Sequence, residues 1–199
     1  MYFIPNISFA PPYPVLPATP MNVTRGKTYY HVVNSEVRSM RETYDSYCIP
    51  VFGPFTSNNF GCSFINANAA ATNGTSYVLF DESRPASVPE CCVIGKPFHP
   101  PPQNFTHGMP LQYRDAGAGE LIDWSVVWDN QAGPFAYGFR PDSSPGVFYM
   151  QGVLALEPVW MYQTFSNFQP GVVPPVDTWD LPDSCRQATA CPGWDPSAN

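Results

Sequence analysis

Leu121-Ile122-Asp123-Trp124-Ser125-Val126-Val127-Trp128-Asp129 is the stretch on which the fold class turns. Ile122, Trp124, Val126 and Trp128 occupy every second position, with Asp123, Ser125 and Asp129 among the alternates. A period of two puts the first set on one face of a β-strand and the second on the other, so one face is buried and one is wet. Downstream, residues 135–139, 147–156 and 159–168 continue the series, and in the second of these Phe148, Met150, Leu154 and Leu156 fall in one phase. Upstream, residues 28–33 and 37–44 flank the turn-like Asn34-Ser35-Glu36 and form an expected hairpin. Residues 47–52, 60–65 and 76–81 are three further expected strands, punctuated by Pro50, Gly53-Pro54, Asn58-Asn59 and Asn73-Gly74.

About nine short strands with short connections predict an all-β chain: two stacked, curved antiparallel sheets, as an open barrel or a clam-like sandwich. Helix is expected to be nearly absent, because 25 prolines and 14 glycines in 199 residues forbid long helical runs. Residues 1–24 hold Pro5, Pro11, Pro12, Pro14, Pro17 and Pro20 interleaved with Tyr2, Phe3, Ile4, Phe9, Tyr13, Val15 and Leu16. They read as an extended polyproline-like arm, expected to lie against this domain or a neighbouring subunit. Residues 25–199 are expected to form a single all-β domain, closed by a Pro-rich C-terminal tail that carries the last two cysteines.

At 44% hydrophobic and 15% aromatic, a chain of this length can bury a core. Nine Lys plus Arg stand against sixteen Asp plus Glu, a net charge of -7, and Lys27 and Lys96 are the only lysines. No basic patch is available to neutralise phosphates, which excludes nucleic acid and anionic membrane surfaces as partners. No run approaches the ~18 apolar residues needed to cross a bilayer as a helix.

Cys48, Cys62, Cys91, Cys92, Cys185 and Cys191 permit three bridges, and none lies in a C-x-x-C pair. Adjacent Cys91 and Cys92 are expected to send one bond each to two different strands. Three disulfides place the chain in an oxidising compartment, secreted or lumenal. Sequons at Asn6, Asn22, Asn73 and Asn104 point the same way and mark expected glycosylation sites. Met1-Tyr2-Phe3-Ile4 runs into Pro5 with no basic or long apolar leader, so the numbering is expected to begin after a removed signal.

Catalytic chemistry finds little support. No G-x-S-x-G is present, and His31, His99 and His107 lie in a strand and a Pro-rich loop. Cys91, Cys92, His99 and His107 have irregular spacing for zinc and read as disulfide cysteines plus surface histidines. Asp81-Glu82 and the Asp180 and Asp183 pair fall in turns where Asp hydrogen-bonds its own backbone; the other reading is a weak calcium loop, without an EF-hand pattern. Trp124, Trp128, Phe148, Met150, Trp160 and Tyr162 admit two readings, an ordinary core or the lining of a ligand cavity.

The order of features resembles the ependymin-related family of secreted glycoproteins, from about Lys27 to Cys191. Tyr29-Tyr30-His31-Val32-Val33-Asn34-Ser35-Glu36-Val37-Arg38 is similar to the family's opening hairpin, with Cys48 soon after it in Tyr47-Cys48-Ile49-Pro50. Gly74-Thr75-Ser76-Tyr77-Val78-Leu79-Phe80-Asp81 followed by Cys91-Cys92 is similar to a family strand leading to its second cysteine. Thr164-Phe165-Ser166-Asn167-Phe168, then Leu181-Pro182-Asp183-Ser184-Cys185 and Cys191, resembles its closing strand and terminal cysteines. The resemblance implies Cys48 bonded to Cys191, one of Cys91 or Cys92 bonded to Cys185, and Cys62 taking the other. It further implies sheets stacked around a deep apolar cavity, with lipid-like ligands, calcium association and homodimers.

The resulting expectation is a non-enzymatic secreted protein that holds a hydrophobic or lipid-like ligand. Its candidate binding residues are Trp124, Val126, Trp128, Phe148, Met150, Leu154, Leu156, Trp160 and Tyr162. Calcium is the one candidate cofactor. The competing expectation is a structural or adhesive subunit of an extracellular homo-oligomer, docking through the Pro-rich arm.

Overall fold

A computed structural model describes residues 23–33, 38–48, 59–67, 75–94, 113–115, 122–129, 133–154 and 157–191; residues 38, 67, 113–115, 122–129, 133–136, 149–154 and 157–161 are described by their backbone alone. Residues 1–22 of the expected arm, the four sequon asparagines, His99, His107 and Leu156 lie outside the described residues. The described residues are mostly β-strand, in two five-stranded antiparallel sheets, with only short 3₁₀ turns among them beside the strands. It divides into two compact units, Met1–Asn22 with Thr106–Gly171, and Val23–Phe105 with Val172–Asn199.

The sheet of the second unit runs in the order β1 (Thr28–Val32), β2 (Arg38–Tyr44), β3 (Cys62–Ala67), β4 (Ser76–Phe80), β5 (Cys91–Val93). All but β5 were foreseen within a residue or two. Three residues are too few to display a period, which is why Cys91–Val93 did not read as a strand. Residues 47–52 are not borne out where they are described, since Tyr47 sits in a bend and Cys48 outside any strand.

Register makes the two faces of this sheet easy to follow. Glu42, Phe64, Val78 and Cys92 form one cross-strand row, Arg41, Ile65, Tyr77 and Val93 the next. Neighbouring rows face opposite ways. The even-numbered face holds the core, where Tyr44, Cys62, Phe64, Val78, Phe80 and Cys92 cluster with Cys48, Phe60, Val88, Ile94 and Cys191. The rings of Phe60 and Phe80 meet edge to face at 5.8 Å. Within that apolar face, Asn66 donates to the Ser76 hydroxyl at 2.8 Å, both groups fully buried, which removes the cost of burying either unpaired.

The odd-numbered face is also covered. Ile65 and Ser63 are buried there, and the C-terminal tail supplies the anchors on that side. Arg41 donates to the Thr178 carbonyl at 2.9 Å and to Ser63 Oγ at 3.3 Å, while Cys91 is bonded to Cys185. The tail carries two short 3₁₀ turns, Val176–Trp179 and Asp183–Gln187. It then rounds the open edge of β5. Ala190 bridges Val93 in parallel, Val93 donates to the Thr189 carbonyl and Cys191 to the Val93 carbonyl, each at 2.8 Å. Cys191 thereby reaches the core face and bonds Cys92.

Two adjacent cysteines on a strand point to opposite faces, so Cys91 and Cys92 grip the tail from both sides of the sheet edge. They bond two parts of one tail, not two different strands. The Cys91–Cys185 bond agrees with the pairing implied by the family resemblance, but Cys48–Cys191 and a bond from Cys62 to the adjacent pair are not formed. Cys48 is bonded to Cys62 with Cα atoms 5.3 Å apart. The reason is local: Tyr44 at the end of β2 lies opposite Cys62 at the start of β3, so a chain leaving β2 passes that cysteine first. Among the described residues no cysteine is free.

Two glycines are demanded by close backbone approach. A Cβ on Gly26 would overlap the Thr43 carbonyl, and one on Gly61 would overlap the Asp81 carboxylate. The Asp81 group is the end of a side chain and can swing; the Thr43 carbonyl belongs to backbone fixed by the Thr43 N–H to Lys27 O bond of 2.8 Å. Gly26→Ala is therefore expected to cost about 1–3 kcal/mol, as overpacking does, and Gly61→Ala measurably less, read as the difference in urea midpoints.

In the first unit the sheet order is β10 (Glu157–Thr164), β9 (Pro145–Leu154), β8 (Gly133–Phe139), β7 (Ile122–Asp129), β6 (Tyr113–Asp115). The β8–β9 turn is held by its own side chains. Asp142 Oδ1 accepts the Ser144 N–H at 2.9 Å, Ser143 takes positive φ (65°), and Arg140 donates to the carbonyls of Pro145 and Phe165. Those hydrogen bonds from Ser144 hold the exposed Asp142 carboxyl below its ordinary range. By this turn Arg140 ties the end of β8 to the segment just after β10.

A candidate ligand-binding face

Eight of the nine candidate residues, all but Leu156, belong to the β6–β10 sheet: Trp124, Val126 and Trp128 on β7, Phe148, Met150 and Leu154 on β9, Trp160 and Tyr162 on β10. Register sorts them. One cross-strand row is Trp124, Gly138, Val147, Thr164; the next is Ser125, Tyr137, Phe148, Gln163. Then come Val126, Ala136, Tyr149, Tyr162, and after them Val127, Phe135, Met150, Met161. Trp128 pairs with Pro134, and Trp160 with Gln151.

Since rows alternate between faces, Trp124, Val126, Trp128, Trp160 and Tyr162 share one face, and Phe148, Met150 and Leu154 lie on the other. These eight residues do not share a single face of this sheet. The phase of β7 relative to β9 is fixed by β8 between them, which carries a register shift at Gly138/Phe139, and no strand's own period reveals that phase.

Register also adds residues that the sequence pattern did not nominate. Tyr149 joins the tryptophan face. The central strand contributes Pro134, Ala136 and Gly138 to the same face, the last two being the smallest residues in their rows. A strip without bulk thus runs along the middle of the sheet, with aromatic positions on the strands to either side. On the opposite face the rings of Tyr137 and Phe148 lie 5.3 Å apart, and burial raises the Tyr137 hydroxyl pKa.

Two open grooves of about 430 Å³ occur among the described residues. One, by Arg140, Ser144 and Asn167, borders the β8–β9 turn, and the other, by Arg41, Asp45, Asp81 and Glu90, borders the end of β2–β4. Neither includes a candidate residue.

Of the polar groups singled out in the sequence, Asp81 and Asp183 make local contacts. Asp81 Oδ1 accepts from the Ser83 N–H at 2.9 Å and from the Ser83 hydroxyl at 2.5 Å, the backbone-capping role expected of a turn aspartate. Asp183 forms an exposed ion pair with Arg186 at 3.0 Å. His31 stands in β1 opposite Ser39. Among the described residues no group of three or more His, Cys, Asp or Glu is placed to hold a metal ion.

Two charged groups escaped the sequence reading. Arg41, half-buried beneath the tail, has its pKa lowered by burial, with Tyr29 and Asp177 working against the shift. Its Nε is buried with no hydrogen-bond partner among the described residues. Glu42 stands on the core face and accepts the Tyr44 hydroxyl at 2.7 Å. Burial pushes its carboxyl up, partly offset by that bond. A carboxyl raised in the fold contributes its stability in full below the unfolded value and loses it as pH rises through the folded one. Urea midpoints of the parent are expected to fall as pH rises above the ordinary carboxylate range, relative to those of Glu42→Gln, which keeps an acceptor for Tyr44 without the charge.

Comparisons with family models, with curated proteins and with solved structures yield no match to this chain.

Proposed function

We propose that this chain is a secreted, non-enzymatic binding protein that holds a hydrophobic or lipid-like ligand against the tryptophan face of its β6–β10 sheet. The observation that carries the reading is the register of that face: Trp124, Val126, Trp128, Tyr149, Trp160 and Tyr162 surround the strip of Pro134, Ala136 and Gly138. Aromatic residues around a low strip suit burial of a slender apolar molecule, which binds by removal of surface from water. The resemblance to ependymin-related proteins, in which sheets stack round an apolar cavity, supports the same reading. So does the compartment, since three disulfides persist where thiols stay oxidised, and no helix among the described residues is long and apolar enough to cross a membrane.

Native mass spectrometry and solvent extraction of protein from a secretory host test it. The expected result is a co-purifying apolar guest at near one per chain, and uptake of cis-parinaric acid by the stripped protein. Ala136→Leu, which puts bulk in the strip between Val126 and Tyr149, is expected to weaken that uptake about tenfold, equivalent to about 1.4 kcal/mol, with little change in urea midpoint. A protein that carries no guest and takes up no probe defeats the reading.

A further inference from the structure

Gly171, at φ 76°, turns the chain into Val172-Val173-Pro174-Pro175-Val176, a stretch of the second unit that is neither strand nor helix as far as Pro175. The two prolines set its conformation. Each fixes its own φ and drives the residue before it to extended backbone, so Val173 and Pro174 are directed to the polyproline II helix. Pro175 stands there too, at φ -52° and ψ 147°.

A polyproline II helix has three residues per turn and so three edges, and the 3₁₀ turn that Val176 opens keeps the same count. Half-buried Pro174 marks the edge that lies on the domain. Val172 with Pro175, and Val173 with Val176, form the other two, and both are open: Val172 is 62% exposed, Val173 67% and Val176 85%, with Pro175 exposed as well. Val176 is the most exposed large apolar side chain among the described residues. From behind, the Thr178 N–H donates to the Pro175 carbonyl at 3.0 Å and Arg41 to the Thr178 carbonyl at 2.9 Å. A segment held in this way has little freedom left to lose on binding.

An apolar ridge of this shape fits a groove lined by aromatic rings, the mode in which folded domains take proline-rich ligands. Residues 165–176 carry no charge. The next charged groups along the chain are the exposed acids Asp177, within the field of Arg41, and Asp180, which call for a basic rim on that side of the groove. A bilayer would take in the valines only by drawing those acids toward hydrocarbon, which is costly. We propose that Val172–Val176 is a preformed polyproline II ligand for another protein, docking in an aromatic-lined groove whose rim beside Asp177 and Asp180 is basic. The proposal does not rest on the ligand reading of the tryptophan face.

Isolated WW, SH3 and EVH1 domains, chosen in pairs with basic and acidic rims, serve as probes of the full chain in titration calorimetry. Binding to a basic-rimmed domain is expected, weakened about tenfold by Val173→Ser/Val176→Ser and about threefold by Asp177→Asn/Asp180→Asn. Val33→Ser, at an exposed valine elsewhere, should leave it unchanged. Unaltered urea midpoints of these surface variants separate lost binding from a folding defect. Absence of binding to every basic-rimmed probe overturns the proposal. So does binding that survives the valine changes, which places the ligand elsewhere in this proline-rich chain. If those changes instead abolish flotation on phosphatidylcholine vesicles, or a concentration-dependent dimer, with no domain bound, the occupant is a lipid surface or a second copy and the proposal falls.

Discussion

Removing both bonds of the β5 clasp, with Cys91, Cys92, Cys185 and Cys191 all changed to Ala, is expected to cost about 7 kcal/mol, whereas removing either bond alone costs about 2.5 kcal/mol. The asymmetry follows from the loops. Cys91–Cys185 and Cys92–Cys191 span 94 and 99 residues, and closing a loop near 100 residues restricts the unfolded chain by about 4.7 kcal/mol. Once one bond is made the other closes only the short ring through Cys185, Cys191 and the two adjacent cysteines, worth about 2.5 kcal/mol on the same scale. Each single removal therefore surrenders the short ring, and the double removal surrenders both. By comparison Cys48–Cys62, across 14 residues, is worth about 3 kcal/mol. A domain with ordinary stability of about 5–15 kcal/mol survives any one loss and approaches unfolding with the clasp gone. Urea unfolding of the two pair-deleted variants and the quadruple variant checks this. Single costs near 4–5 kcal/mol each would mean that the bonds act as independent long-range ties.

The clasp also marks where the sequence stopped being informative. Oxidised cysteines were readable from their even number, their spacing and the sequons; their partners were not, because pairing depends on which strand ends lie together. Cys62 begins β3 opposite Tyr44, a fact of register that cysteine spacing does not contain. The long strands announced themselves: residues 121–129 alternate so cleanly that Ile122–Asp129 emerged within one residue. Cys91–Val93 and Tyr113–Asp115, at three residues each, had no room for a period. The candidate binding residues were read strand by strand, and their division between faces was hidden in the phase set by β8. Ala136 and Gly138 were invisible for another reason, since small residues in a strand attract notice only when their cross-strand neighbours are known to be large.

Ile65→Ala is expected to cost about 3–4 kcal/mol, in the upper part of the range for removing a fully enclosed aliphatic side chain. Ile65 is completely inaccessible, although it belongs to the odd-numbered face and not to the core cluster on the even one. It pairs directly with Arg41, whose guanidinium holds the Thr178 carbonyl of the tail, and it shares that face with Cys91 and its bond to Cys185. We expect the tail to be the cover over Ile65, so that the cost of truncation depends on how tightly that cover is held. In a Cys91→Ala/Cys185→Ala background the tail keeps its hold at Cys191, along the Val93 edge and through Arg41, but loses its bond beside Asp183–Gln187, so that part can settle into the vacated space or lift from it. The same substitution should then cost less by about 1 kcal/mol or more, a coupling within the range for neighbours that share a packing contact. A double-mutant cycle on urea midpoints measures it. Equal costs in the two backgrounds would show that Ile65 is sealed by something other than the tail, and the odd-numbered face would then need a different cover from the one the disulfide and the arginine hold in place.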